Sequence, residues 1–298
     1  MNVREQGFLL LTGYLGDPER RPLTIPQFRE LTKRARQMDR PSEQRNMTRE
    51  DLMKLGCDRA FAGRVLQLLS QEEQLRWYLE KGRRNGCYPV TRISDRYPDC
   101  LRRCHGMDAP GVLWLKGDPE ILDRPGIGLV GSRDLRPENA EFAAAAGKQI
   151  ARQGYALVSG NARGADRTAQ EAALEQGGVV ISVVADALER HPLKKNVLYI
   201  SEEGYDMPFT PQRALQRNRI IHSLGQKTFV AQCTLGKGGT WDGTCRNLQK
   251  NWSPVFCFRD GSDASTELEQ MGACLVDLAD LVHIPALQPL SENMLRNM

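Results

Sequence analysis

Two glycine-containing segments that each include an arginine are the residues of this sequence best suited to bind an anion. The first is Gly131-Ser132-Arg133, and the second is the run SGNARGAD at 159–166. Glycine lets backbone amides approach an anion, a helix N-terminus adds positive potential, and arginine supplies a bidentate fork. Two such segments predict a phosphate or phosphodiester site, and the second one contributes Ser159, Gly160, Arg163, Gly164 and Asp166.

Two further segments carry residues of the same kind. Arg217-Asn218-Arg219 opens a predicted helix, and its two arginines are poorly explained by packing, although they could pair with Asp166 or Glu202. The glycine-rich turn GKGGT at 236–240 adds Lys237, Gly239 and Thr240 to the candidate site. Its spacing is not that of a Walker A loop, and the chain contains no GxGxxG motif. No cofactor is therefore predicted.

Residues for catalysis are few. His191 is followed by proline, and His222 lies on a predicted helix whose opposite face is apolar, so neither is placed beside a nucleophile. Ser132 and Ser159 lack the GxSxG pattern of a nucleophile elbow. The sequence therefore predicts a binding cleft and no catalytic residue.

The elements that must position these residues are apolar runs separated by helix-length segments, such as 138–153 and 165–176. The runs are nearly continuous in Val, Ile, Leu, Phe and Ala, which indicates strands buried on both faces of a parallel sheet. This pattern predicts an α/β fold with a doubly wound Rossmann-like sheet, in which ligands bind beyond the carboxyl ends of the strands. The predicted strands lie within 126–132, 155–160, 179–186, 227–233, 254–258 and 273–278.

The first part of the chain has a different character. Residues 1–95 are predicted to be helical without a strand, with helices over 27–38, 60–69 and 72–85 and a capping box at Thr48 and Asp51. Short helices joined by glycine turns are typical of sterile-alpha-motif or helix-hairpin-helix domains. The predicted organisation is a helical domain at 1–95, a Rossmann-like domain at 96–285 and a tail at 286–298.

Composition limits the class of protein. Hydrophobic residues make up 40% and charged residues 26% of the 298 residues, and the net charge is +4. Residues 1–100 carry 19 Lys/Arg against 14 Asp/Glu, and the remainder carries 22 against 23, which is compatible with a polyanionic partner. No apolar run approaches the roughly 18 residues of a membrane helix. We expect a cytoplasmic protein without a membrane partner.

The eight cysteines do not indicate a disulfide scaffold in a chain of this length. Cys233, Cys257 and Cys274 lie in or beside apolar runs and are interpreted as small core residues. Cys100 and Cys104 lack a second pair of ligands with the spacing of a zinc site. No metal is predicted.

Taken in order and spacing, these motifs resemble those of the DprA/Smf family of DNA-processing proteins over roughly residues 86–280. The resemblance begins with the Tyr-Pro at 97–98 and the LxxKG pattern at 113–117. It continues through VGSR at 130–133 and VSGNARGAD at 158–166, and it ends with QRNRII at 216–221.

The resemblance implies a Rossmann-like core that binds single-stranded DNA, forms a homodimer and loads the RecA recombinase. It places Ser132, Arg133, Ser159, Gly160, Arg163, Arg217 and Arg219 in the pocket. It also implies a further basic contact at Lys194 or Lys195, beside Asn196. The chain departs from the family pattern at Gln170 and His191, where the family usually has histidine and tyrosine.

Two other functions stay open. The segment GGTWDGT at 238–244 is loosely similar to the GGxGT loop of LOG-type phosphoribohydrolases, but Asn247 stands where that family has its glutamate. The chain could instead be a sensor that binds a nucleotide signal and acts through a partner at its N-terminal helices.

Overall fold

The computed structural model describes residues 1–17, 19–37 and 46–289. Their strands form one nine-stranded sheet in the order β1-β2-β6-β5-β4-β3-β7-β8-β9. The strands are β1 (Cys87–Thr91), β2 (Val112–Lys116), β3 (Gly126–Val130), β4 (Ala156–Ser159), β5 (Val179–Val183), β6 (Val197–Glu202), β7 (Gly225–Val230), β8 (Val255–Phe258) and β9 (Cys274–Val276).

Helices cover both faces of this sheet. Within the described ranges none of them combines the length and the apolar character needed to cross a membrane. The helices are α1 (Val3–Thr12), α2 (Ile25–Ala35), α3 (Arg49–Lys54), α4 (Arg59–Leu69), α5 (Glu72–Arg84), α6 (Asp99–His105), α7 (Pro137–Arg152), α8 (Ala165–Glu175), α9 (Pro211–Gln216), α10 (Asn218–Leu224), α11 (Gly238–Lys250) and α12 (Asp263–Gln270).

The two faces follow from the alternation of side chains along each strand. Leu157 of β4 points into a core shared with α7, α8, α1 and α5. Its neighbour Val158 points into the opposite core, which α6, α10, α11 and α12 close. Because both faces are covered, the central strands are buried and mostly apolar. The α/β, Rossmann-like fold predicted from the continuous apolar runs is confirmed.

All six predicted strands are present, but the prediction of a purely parallel sheet without N-terminal strands is wrong. Three strands were not predicted, and they pair at one edge, where β1 and β2 are antiparallel, as are β2 and β6. β1 contains Pro89. Because proline has no N–H to donate, it is found mainly in edge strands, and in the sequence alone its presence argues against a strand at this position. The other pairings, from β6 to β9, are parallel.

Helices α1 to α4 each begin at a residue whose side chain caps the helix, whereas α5 has no side-chain cap. Thr48 and Asp51 form the predicted capping box at the start of α3. Thr24 and Gln27 form another, so that α2 begins two residues earlier than predicted. The predicted end of that helix at Met38 lies outside the described residues, as do positions 290–298 of the predicted tail. The domain boundary at residue 95 stays a prediction.

Helices α7 and α8 pack closely because Gly147 has no side chain. A Cβ at this position would lie 2.2 Å from the carbonyl oxygen of Ala169. We expect Gly147→Ala to lower the free energy of unfolding by about 2 kcal/mol, because the two backbones must separate. Denaturant unfolding followed by circular dichroism measures this change.

Gly63 provides a matched control within α4. A Cβ at Gly63 would have no neighbour within 4 Å. Since alanine favours a helix over glycine, Gly63→Ala is expected to raise the free energy of unfolding by about 0.5–1 kcal/mol. Equal effects of the two substitutions would contradict the close packing of α7 on α8.

Candidate nucleic-acid interface

The largest concentration of predicted site residues lies in a cleft of about 490 Å³ at the carboxyl ends of β3 and β7. The chain runs from β3 outward to β6 on one side, and from β7 outward to β9 on the other. The strand order therefore reverses between β3 and β7, which is the position where open α/β sheets bind ligands.

Two cations in this cleft are not neutralised. Arg133 and Lys237 both line the cleft and are exposed. Neither forms an ion pair with another residue of the described ranges. Arg133 follows Ser132, whose backbone N–H donates to the Gln232 carbonyl at 2.9 Å, and this bond joins the turns after β3 and β7. Two free cations at adjacent turns create a positive potential inside the cleft.

The first turn of α11 adds backbone donors to the same cleft. Gly238, Gly239 and Thr240 line it, and no side chain caps this helix. The N–H groups of a first helical turn have no intrahelical acceptor and favour an anion. The Thr240 hydroxyl donates to the Gly131 carbonyl at 3.0 Å, and the Asn218 amide donates to the Gly239 carbonyl at 2.9 Å. These bonds fix the turn beside Arg133.

At the back of the cleft, Arg217 and Asp166 form a buried ion pair. A guanidinium nitrogen of Arg217 lies 3.6 Å from an oxygen of Asp166. The same carboxylate accepts the backbone N–H groups of Gly160 at 3.2 Å and Ala162 at 3.1 Å. Burial raises the pKa of Asp166 and lowers that of Arg217, while each partner's charge acts in the opposite direction. Because Arg217 offsets the Asp166 charge, Arg133 and Lys237 set the net potential of the cleft.

Gly160 makes room for this ion pair. A Cβ on Gly160 would lie 1.4 Å from a terminal guanidinium nitrogen of Arg217. Any side chain at this position would displace Arg217 from Asp166. The sequence prediction that this glycine belongs to the site is supported by a steric requirement, although Gly160 itself does not line the cleft.

The structure brings together most of the predicted site residues. Ser159 is buried beneath the cleft, where its hydroxyl accepts from the Gln170 amide at 2.7 Å. Arg163 lies on the surface and pairs with Asp134, and Gly164 is the N-cap residue of α8. The predicted residues that line the cleft are Gly131, Ser132, Arg133, Asp166, Arg217, Asn218, Lys237, Gly239 and Thr240.

Arg219 does not line the cleft. It pairs with the buried Glu202 at 2.6 Å and donates to the Asp108 carbonyl. Residues two apart on a helix point in nearly opposite directions, so Arg217 and Arg219 cannot share a site. The predicted alternative, in which the two arginines pair with Asp166 and Glu202, is confirmed for both.

Lys194, Lys195 and Asn196 lie at the opposite edge of the sheet and do not share the cleft. The Asn196 carbonyl accepts the backbone N–H of Val180, near the start of β5, at 2.8 Å. The connection from β5 to the parallel strand β6 has to return to the amino edge, and these residues are its last ones. Along a strand of five residues the two edges are about 13 Å or more apart.

Several lining residues were not predicted. Phe209 and Leu215 form an apolar wall and are 52% and 48% exposed. Phe209 belongs to an irregular segment before α9, where no periodicity marks it. Cys233 and Thr234 follow β7, and the interpretation of Cys233 as a core residue is wrong in part, because it is half-buried and lines the cleft. Burial raises the pKa of the Cys233 thiol to about 12.

Asn247 lies on the buried face of α11 and does not line the cleft. Its side chain bonds with His222 at 3.1 Å and with the backbone N–H of Ser253 at 2.9 Å. A LOG-type hydrolase needs a carboxylate at this position that the substrate can reach. This chain has an asparagine there, and its side chain is buried. This placement argues against the LOG-type alternative.

The stability of the protein is expected to depend on pH through His222. The ring is fully buried, and burial lowers its pKa to about 3. An unfolded histidine takes up a proton near pH 6.5 and the folded one does not, so the free energy of unfolding falls as the pH drops below about 6.5. This single group contributes a loss of about 2 kcal/mol at pH 5.

Urea unfolding of the wild type and of His222→Gln at pH 7 and pH 5 measures this contribution. The variant is less stable at pH 7, because it loses the bond with Asn247. Its further loss on going to pH 5 is expected to be smaller than that of the wild type by about 2 kcal/mol. Equal losses in the two proteins would show that His222 takes up no proton on unfolding.

A family model matches residues 89–282, which include the cleft and all strands except the first two residues of β1. Its description is DNA recombination-mediator protein A. The chain belongs to this family. The resemblance to DprA/Smf proteins found in the sequence is confirmed, and the family's region includes every residue that lines the cleft.

Two individual proteins illustrate the similarity in sequence. DNA processing protein DprA of Streptococcus pneumoniae is 31% identical over 199 residues, which cover 62% of this chain and 69% of the relative. Protein Smf of Escherichia coli is 30% identical over 203 residues, covering 63% of this chain and 53% of Smf. The matched region thus spans 69% of one relative and 53% of the other.

Two solved structures of the family share the fold. DprA of S. pneumoniae superposes with a TM-score of 0.71 at 24% identity, covering 95% of this chain and 98% of that chain. DNA processing protein A of Helicobacter pylori, whose structure concerns a single-stranded DNA binding mode, gives a TM-score of 0.55 at 23% identity. It covers 66% of this chain and 94% of that one.

Proposed function

We propose that this chain binds single-stranded DNA in the cleft between the turns after β3 and β7, and that it acts by binding, without a catalytic step. The observation that carries the proposal is the pair of unneutralised cations, Arg133 and Lys237, beside the uncapped first turn of α11. Family membership supports DNA as the anion, and the H. pylori family member is described as binding single-stranded DNA.

The apolar wall fits this ligand. Proteins that bind single strands combine cations for the backbone with flat apolar side chains for the bases. Phe209 and Leu215 lie in the same cleft as Arg133 and Lys237. A strand whose phosphates contact the two cations therefore has an aromatic ring, that of Phe209, in the same cleft.

The wider role that we propose is that of a recombination mediator. A protein that holds single-stranded DNA protects it and presents it to a RecA-type recombinase, as the family resemblance implies. We also propose that the protein acts as a homodimer in the cytoplasm. Size-exclusion chromatography with light scattering tests the dimer, and a strand-exchange reaction with RecA tests the loading.

The experiment for the central proposal is a fluorescence-anisotropy titration of labelled oligo-dT at low and high salt, with mononucleotides as competitors. We expect binding that weakens steeply with salt and that mononucleotides do not displace. Absence of binding, or binding that does not depend on salt, would refute the assignment of the cleft to a phosphodiester chain.

A nucleotide sensor is the second candidate, because one feature favours it. The cleft volume of about 490 Å³ lies within the usual range for small-molecule sites. A sensor is expected to be stabilised thermally by one mononucleotide and not by oligo-dT. The same titration separates the two functions, since the mononucleotide displaces the oligonucleotide only if it binds the cleft tightly.

A further inference from the structure

A second group of cations, which is only partly neutralised, lies at the amino edge of the sheet, where helix α5 meets the β5–β6 connection. The two segments are in contact: the Asn85 amide donates to a Glu189 carboxylate oxygen at 3.4 Å, and Leu193 packs against Gly86. We call this surface the amino-edge patch. Its members share high exposure and positive charge, and they are Arg83, Arg84, Arg190, Lys194 and Lys195.

Few carboxylates oppose these cations. Arg83 and Arg84 share one partner, Glu80, at 2.9 and 3.0 Å. Lys194 and Lys195 form no ion pair with any residue of the described ranges. The patch therefore keeps a net positive charge. Its cations come from two segments that are far apart in the sequence, so the patch exists only in the folded chain.

An exposed aromatic residue continues the patch along α5. Trp77 is 62% exposed, and the ammonium of Lys81 lies 5.5 Å from the centre of its ring. Trp77, Lys81 and Arg84 follow one another at helical spacing, so they lie on one face of α5. The distance from Trp77 to Arg84 is about 10 Å along the helix axis.

We propose that the amino-edge patch is a second contact for single-stranded DNA, separate from the cleft and at the opposite edge of the sheet. Cations that follow a phosphodiester backbone, together with an exposed ring on which a base stacks, are what a single strand requires. The proposal rests on the proposed function, because it assigns the patch to the strand that the cleft holds. A long strand contacts both surfaces, whereas a short one fills the cleft alone.

The test compares oligo-dT of about 6 and about 25 nucleotides, which bracket the usual size of a single-strand site. Each phosphate contact with a single strand contributes about 0.7 to the slope of log affinity against log salt. In Lys194→Gln/Lys195→Gln the slope for the long strand is expected to fall by about 1.4, while the affinity for the short strand does not change. Arg246→Gln/Lys250→Gln is the control, since it removes the same charge from exposed positions of α11.

A second readout comes from Trp77. We expect the long strand to quench tryptophan fluorescence in the wild type, and this quenching to fall in Trp77→Phe while the short strand still binds. An unchanged salt slope in Lys194→Gln/Lys195→Gln, equal to that of the control, would overturn the proposal. The salt slope would also be unchanged if the patch bound an acidic protein and not single-stranded DNA.

Failure of the proposed function is distinguishable from failure of the patch. If the wild type binds neither oligonucleotide, the function proposed for the cleft fails, and the patch proposal fails with it. If the wild type binds both, if Arg133→Gln weakens both, and if Lys194→Gln/Lys195→Gln behaves like the control, only the patch proposal fails.

Discussion

Replacing Arg133 and Lys237 together with glutamine is expected to weaken the binding of oligo-dT by at least about 100-fold. A hydrogen bond from a charged group contributes about 1.5–3 kcal/mol, and two such contacts are lost. The salt slope of the affinity is expected to fall by about 1.4, because two phosphate contacts disappear. Fluorescence anisotropy at several salt concentrations measures both quantities.

The fold is not expected to change in this double variant, since both side chains are exposed and neither forms an ion pair within the described residues. Its thermal unfolding should therefore match that of the wild type. Arg246→Gln/Lys250→Gln again removes two positive charges, and it is expected to keep nearly full affinity. An affinity of the Arg133/Lys237 variant within about threefold of that control would show that the cleft does not hold the strand.

The largest loss of stability is expected from Asp166→Leu. This substitution leaves the Arg217 guanidinium buried at the back of the cleft without its partner. Removing one member of a buried ion pair costs about 3–5 kcal/mol. The Gly160 and Ala162 N–H groups lose their acceptor as well. Denaturant unfolding at neutral pH measures the change.

Two variants control this prediction. Asp134→Leu also removes the carboxylate partner of an arginine, Arg163, but both members of that pair are exposed, so a loss below about 1 kcal/mol is expected. Asp166→Leu/Arg217→Leu removes both buried charges and is expected to recover part of the lost stability. Equal losses for Asp166→Leu and Asp134→Leu would contradict the role of the buried pair.

The elements of the fold that could be predicted from the sequence are those whose own residues show a pattern. A strand covered on both faces is buried at every position and mostly apolar, and β4 and β5 show this with one polar residue each, Ser159 and Ser182. β1 leaves no such signal, because Pro89 breaks the pattern and the strand is stable only as the edge partner of β2. Its pairing depends on a contact with residues some 25 positions away, which periodicity does not report.

Some residues of the candidate site could also be placed from the sequence, and others could not. Gly131, Arg133 and Lys237 follow strands that end at the same edge of the sheet. The fold class alone therefore predicts that these residues lie close together. Arg219 could not be separated from Arg217 without knowing which helix face points to the cleft. Lys194 was placed through a resemblance, and its position depends on the path of a connection that returns to the amino edge.

Phe209 illustrates what the sequence could not provide. It lies in an irregular segment that is held in place by Arg213, whose guanidinium donates to the carbonyls of Met207 at 3.0 Å and Pro208 at 2.8 Å. These bonds depend on the folded positions of β6 and α9. No local pattern marks a single aromatic residue in such a segment as part of a cleft.

The pairing of β1 with β2 has a consequence for how the protein stays dispersed at high concentration. An edge strand presents unpaired N–H and C=O groups to which another chain can add, and this is a route to aggregation. β1 covers β2 on this side, and Pro89 removes one donor from the strand that is left outermost. A fragment cut at the predicted boundary after residue 95 would lack β1 and expose the backbone of β2. The segment before that boundary therefore protects the sheet from self-association, in addition to any part that it has in binding.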